Sequence, residues 1–121
     1  MRRFFDHQAA LSFVEWLEPL LQKLPKSFSV ADQLDRASTS IPLNIAEGNG
    51  KFTGADRCRF FDNARGSALE SAAALDVLVA KRRCSQEEVA PGKDRLWSVV
   101  SMLVGLIKAN SDYRLHEGNV E

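Results

Sequence analysis

The 121-residue chain holds two cysteines, Cys58 and Cys84, with no CxxC pair, and two histidines, His7 and His116, near its two ends. That donor set is too poor for a zinc site, which wants four closely spaced Cys or His ligands. Excess charge is lacking too: sixteen basic residues face sixteen acidic ones, with a pI near 6.7. Dedicated nucleic-acid binders draw much of their affinity from a positive excess, so any basic surface here must be local. No apolar run approaches the roughly 18 residues that span a bilayer. The opening "MRRFFDHQAALSFVEWLEPLL" has no clean signal core, because Asp6, His7 and Glu15 interrupt it. The expected location is therefore the cytoplasm, with no membrane contact. No alternating strand, internal repeat, linker or low-complexity tract is visible.

What is present is helical periodicity. The length fits one domain over residues 1–121, long enough to bury a core. The spacing predicts four helices, at about 5–24, 29–49, 54–83 and 93–111, with a frayed tail at 112–121. In the first, Leu11, Val14, Leu17, Leu21 and Leu24 make the apolar face, and Pro19 should kink it by removing a bond to Glu15. The second opens on Ser29 as N-cap with Asp32 nearby, and buries Leu34, Ala37, Ser38, Ile41, Ile45 and Gly48. Pro42 frees the carbonyl of Ser38, and the hydroxyls of Ser38, Thr39 and Ser40 are the expected compensation. "EGNG" at 47–50 supplies a left-handed glycine stop. The third buries Phe60, Phe61, Ala64, Ala68, Ser71, Ala72, Leu75, Leu78 and Val79, and ends on the cations Lys81, Arg82 and Arg83. The connection 84–92 leads to the fourth, with Leu96, Val99, Val100, Leu103, Leu106 and Ile107 inward. Both cysteines then lie on the third helix, 26 residues or about 39 Å apart, and cannot pair. The fold class expected is all-α, an antiparallel up-down four-helix bundle.

Few residues point to catalysis. "GNGKFTG" at 48–54 lacks the GxxxxGK[ST] phosphate-loop pattern and follows no strand, so it reads as a helix stop and turn. Ser67 in "RGSALE" sits mid-helix, outside any GxSxG elbow. Glu47 and Glu70 offer a paired-carboxylate site or, more simply, ion pairing and capping. No catalytic residue, metal ligand or cofactor-binding residue is assigned.

Two surfaces remain. Opposite the core, the second helix carries Arg36, Ser40, Leu43 and Glu47, and the third carries Arg59, Gly66, Leu69, Glu70, Ala73 and Val77. This face is more apolar and smaller than solvation requires: either ordinary exposed Leu and Ala, or a subunit interface where small residues admit another backbone. The basic residues Lys51, Arg57, Arg59 and Arg65 surround one end of the third helix, against Asp56 and Asp62. Arg2 and Arg3 lie at the amino end, and Lys81, Arg82 and Arg83 close the third helix. Phe52, Phe60 and Phe61 interleave with the first cluster. They read as base-stacking platforms or, for Phe60 and Phe61, as core.

"QLDRASTSIPLNIAEGNGK" followed by "DRCRFFDNARGSALE" resembles the signature of the four-helix bundle family also called 23S ribosomal RNA intervening-sequence proteins. The first block matches at Gln33, Leu34, Arg36, Ala37, Ser40, Ile41, Pro42, Asn44, Ile45, Ala46, Glu47 and Gly48. The second matches at Arg59, Phe60, Ala64, Arg65, Gly66, Ser67 and Glu70. The resemblance implies a small non-enzymatic protein that assembles as a ring-like homopentamer. Relatives include the accessory variability determinant proteins of diversity-generating retroelements, which bind nucleic acid and a partner reverse transcriptase through basic residues on the ring. The expectations that follow are RNA or a reverse transcriptase-like enzyme as partner, and no cofactor. The nucleic-acid contacts expected are Lys51, Arg57, Arg59, Lys81, Arg82 and Arg83. The interface or structural residues expected are Arg36, Leu43, Glu47, Arg65, Gly66, Leu69, Glu70, Ala73 and Val77. This chain lacks the positive excess of the nucleic-acid-binding relatives, so the alternative is a structural homo-oligomer with a protein partner only.

Overall fold

The computed structural model describes the backbone of residues 2–120 and the side chains of residues 7–111. It contains four helices, α1 (Arg2–Lys23), α2 (Ser29–Asn49), α3 (Gly54–Ala80) and α4 (Gln86–Val120), and no strand among the described residues. The expectations for Arg2, Arg3 and His116, and for the side chains of the tail 112–121, lie outside the described residues. Helices pack α1 on α2, α2 on α3, α3 on α4 and α4 on α1, and among the described residues the two remaining pairs do not pack.

The core follows the 3.6-residue period of each helix. Phe13, Leu17, Leu34, Ile41, Ile45, Phe61, Leu75, Leu78, Leu96, Val99 and Leu103 are all buried in one cluster. Each large side chain there contributes about 1.5–3 kcal/mol of transfer free energy. On α2 all six residues expected inside are buried, and Val30, Ala31 and Pro42 are buried with them. On α1 the phase differs: Ala10, Phe13 and Leu17 are fully buried, while Leu11 and Val14 are only half-buried. An aliphatic count misplaced the stripe because Phe13, stacked 5.9 Å from the Trp16 ring, carries more burial than either. Phe60 is likewise half-buried rather than core.

Several helix ends differ from expectation. The N-cap of α2 is Phe28, with no side-chain cap bond, so Ser29 and Asp32 form no capping box. Gly50 closes α2 in right-handed geometry, at φ −84°. The left-handed residue stands instead at the end of α3, where Arg82 has φ 60°. There the Arg83 N–H donates to the Leu78 carbonyl and the Arg82 N–H to the Val79 carbonyl. This is a Schellman turn with arginine where glycine is usual. It ends α3 at Ala80, so Lys81, Arg82, Arg83 and Cys84 lie beyond the helix.

Helix α4 begins at Gln86, seven residues before the expected Lys93, and extends to Val120, past the expected Ser111. Ser85 and Glu88 form the capping box that starts it. The Glu88 N–H donates to Ser85 Oγ (3.1 Å) and the Ser85 N–H to Glu88 Oε1 (2.8 Å). Pro91 is tolerated because the carbonyl it orphans, that of exposed Glu87, reaches water. Gly92, read from sequence as part of a connection, packs instead against Trp16, and a Cβ there would overlap the indole.

Candidate functional site

The two sequence blocks meet where α2 crosses α3. Pro42 keeps α2 from donating to the Ser38 carbonyl, yet the Ser38 and Thr39 hydroxyls bond one turn further back, both to the Asp35 carbonyl at 2.9 Å. Ser40 is left free to reach across: its hydroxyl lies 2.9 Å from the Ser67 hydroxyl. Asn44 Nδ2 donates to both Ser40 Oγ (2.8 Å) and the Ser40 carbonyl (2.9 Å). Two turns on, Gly48 abuts Phe61, and a Cβ there would stand 2.6 Å from the ring. Ser67 therefore serves an interhelical hydrogen bond, and no buried side-chain polar atom among the described residues lacks a partner.

Motif charges are matched within their own helices. Arg36 pairs with Asp32 (2.9 Å), Arg65 with Asp62 (3.0 Å) and Glu47 with Lys51 (3.6 Å). All are exposed enough that each pair contributes little to stability. Glu70 has no ion-pair partner among the described residues.

The outer faces are as open as the sequence implied. Leu43 is 60% exposed, Leu69 46% and Val77 38%. Gly66 and Ala73 are exposed beside them, and nothing lies within 4 Å of a Cβ placed on Gly66. A shallow cleft of about 340 Å³ beside Leu43 is lined by Asp35, Arg36, Thr39, Ser40, Leu43 and Asn44. Sequence reasoning missed Trp97, which is 71% exposed on α4, and Val104 two turns further. The signal was available: Leu96 and Trp97 are adjacent, and one helix face cannot bury both.

The six expected nucleic-acid contacts do not form one site. Lys51, Arg57 and Arg59 stand at the α2–α3 turn. Lys81, Arg82 and Arg83 stand past the other end of α3, a helix of 27 residues and thus about 40 Å long. Each group brackets an aromatic ring. Lys51 Nζ and Arg59 Cζ lie 5.0 and 4.9 Å from the Phe60 centroid. Lys81 Nζ and Arg83 Cζ lie 5.5 and 5.0 Å from that of Phe28. The cations cover these rings, so cation–π contact and not base stacking is their use. Phe52 is 98% exposed in the α2–α3 turn.

"GNGKFTG" is a helix end and turn, as read from sequence. Thr53 caps α3 by accepting from the Asp56 N–H (3.1 Å). Arg57 Nε donates to the Lys51 carbonyl (2.7 Å). A Cβ on Gly54 would stand 2.8 Å from the Asn110 carbonyl oxygen, so the glycine admits α4 closely.

Both cysteines are free and buried. Cys58 Sγ lies 3.5 Å from the Ile107 carbonyl and 3.4 Å from Ser111 Oγ. Burial pushes the Cys84 thiol above its ordinary value, with Glu88 adding to the rise and Lys23 opposing it. No group of three or more potential metal ligands gathers among the described residues. No helix there is long and apolar enough to cross a membrane.

The fold is shared with a crystal structure, at 1.70 Å resolution, of a protein of unknown function from the S23 ribosomal protein family of Bacteroides thetaiotaomicron VPI-5482. The likeness has a TM-score of 0.82 at 22% identity, over 89% of this chain and 99% of that one. No curated protein matches the chain. The model of the 23S rRNA-intervening sequence protein family matches residues 7–105, which takes in α2, α3 and the serine pair that joins them, and the chain belongs to that family.

Proposed function

We propose that the chain is a non-enzymatic scaffold that works in the cytoplasm as a ring-like homo-oligomer, pentameric by family resemblance, and that the assembly binds RNA. Each protomer in this reading is an antiparallel up-down bundle. The order of contacts supports that topology: Ser40 meets Ser67 and Gly48 meets Phe61, so α3 numbers fall as α2 numbers rise. The same holds between α3 and α4, where Asp76 pairs with Lys93 and Cys58 meets Ile107.

The observation that carries the oligomer is the apolar surface outside an already closed core. Leu43, Leu69, Val77 and Trp97 are all more than a third exposed, and they lie on three helices. Large exposed apolar groups on adjacent helices, as Leu43, Leu69 and Val77 are on α2 and α3, mark an interaction surface. A ring needs a heterologous contact, made of two different faces. Leu43 with its cleft on α2 and Trp97 on α4 stand on helices that do not pack together. Gly66 and Ala73 on α3 would admit close approach by a neighbour. The non-enzymatic reading is supported by the occupation of the reactive groups: Ser67 bonds Ser40, Glu47 pairs with Lys51, and both thiols are buried. Free thiols also fit a reducing compartment.

Light scattering tests this reading. The wild-type mass should be a multiple of the protomer's, and Leu43→Asp and Trp97→Asp should each reduce it while leaving helix content unchanged. A monomeric wild-type protein would overturn it. A second reading, a structural homo-oligomer with a protein partner and no nucleic-acid contact, is favoured by the zero net charge. RNA titration over salt separates the two, since phosphate contact must weaken as salt rises.

A further inference from the structure

We propose that Lys23, Lys26, Lys81, Arg82 and Arg83, presented by the α1–α2 and α3–α4 turns, form a binding site for the phosphate backbone of nucleic acid. This rests on the nucleic-acid reading above but assigns the contact to one end of the molecule and adds two lysines to it. The two turns are held together by Phe28, which sits at the start of α2 against the core and carries Lys81 and Arg83 of the other turn over its ring. Lys23 ends α1, and its charge reaches Cys84 immediately after Arg83. The left-handed Arg82 turns the chain so that three successive cations are exposed.

None of these five cations has an ion-pair partner among the described residues. The acidic groups beside them are Glu88, engaged by the Ser85 N–H, and Asp32 and Asp35, which line a cleft with Lys26; Asp32 is paired with Arg36. At the α2–α3 end Arg57 and Arg59 also lack an ion pair, but they stand with acidic neighbours. Lys51 pairs with Glu47, Arg57 donates to the Lys51 carbonyl, and Asp56 and Asp62 stand among the cations. Five exposed cations without an ion pair thus stand on the α1–α2 and α3–α4 turns. No exposed ring accompanies them, so the contact is to phosphate and is tolerant of sequence. In a ring whose bundle axes are parallel, the same end of every protomer would face one side and the sites would merge into a collar.

The test uses the full-length wild-type oligomer with a labelled RNA hairpin and a DNA hairpin of the same sequence. With four or five phosphates neutralised per site, affinity should fall roughly 10²- to 10³-fold between about 50 and about 200 mM salt. Neutralising the cluster by Lys23→Gln, Lys26→Gln, Lys81→Gln, Arg82→Gln and Arg83→Gln should cost at least about tenfold and flatten the salt slope. Because Lys81 and Arg83 also hold Phe28, the pair Lys26→Gln and Arg82→Gln is made separately and should still lower the slope by about two. The set Lys51→Gln, Arg57→Gln and Arg59→Gln should leave binding within about twofold. Loss of binding in that set alone would overturn the assignment while the nucleic-acid reading stands. An intact wild-type oligomer that binds neither hairpin at low salt would overturn both. Equal affinity for RNA and DNA supports pure phosphate contact, and binding of one alone, unaffected by the five substitutions, overturns it.

Discussion

The hydroxyl of Ser40 on α2 and the hydroxyl of Ser67 on α3 stand 2.9 Å apart, and Asn44 donates to the Ser40 oxygen from the next turn. One hydroxyl must donate and the other accept, so the pair is satisfied only in this register. Ser40→Ala and Ser67→Ala should each cost about 1 kcal/mol, measured by urea unfolding. The double variant should cost less than the sum, by about 0.5–1 kcal/mol. Strict additivity would mean that the contact is incidental.

Gly48 and Gly66 predict opposite outcomes. A methyl on Gly48 would press on Phe61, so Gly48→Ala should destabilise by about 1–3 kcal/mol. Gly66 lies mid-helix with open space around it. Gly66→Ala should therefore stabilise the protomer by about 0.5–1 kcal/mol. If Gly66 serves close approach of a neighbour, the same substitution should weaken the assembly. Thermal unfolding and mass, measured together, separate the two effects.

Arg82 occupies a left-handed conformation that costs an L-residue with a Cβ about 1 kcal/mol. Arg82→Gly should recover part of that cost, with a higher urea midpoint and an unchanged m-value. No gain in stability would show that the arginine side chain supplies a compensating contact.

Cys84 is held neutral, mainly by burial. Its folded pKa lies above the unfolded one, so the folded protein holds the thiol proton more tightly. The resulting stability is full below the ordinary thiol value of about 8.5. It is lost as pH rises through the raised folded value. Alkylation of Cys84 should accordingly be slow at neutral pH, and the urea midpoint should fall at alkaline pH. Cys84→Ala should remove that part of the alkaline slope. Rapid alkylation of the folded protein at neutral pH would contradict this.

The sequence by itself determined the helical class, the buried face of α2 and the outward position of Leu43, Leu69 and Val77. These depend on a local 3.6-residue period that any helix of that composition must express. The family was legible for a related reason: its two blocks carry the residues that meet at the α2–α3 crossing. Tertiary structure alone decided what the period leaves open. It chose Phe13 over Val14 on α1, because the larger ring fills the space between helices. It put Gly48, Gly54 and Gly92 to work as points of close packing, which depends on the partner helix and not on backbone freedom. Ending α3 at Ala80 moved Lys81, Arg82 and Arg83 onto a turn, and Phe28 brought that turn beside the cations of another one. The candidate site is thus built from residues more than fifty positions apart in the chain, and its location depends on how the helix ends meet.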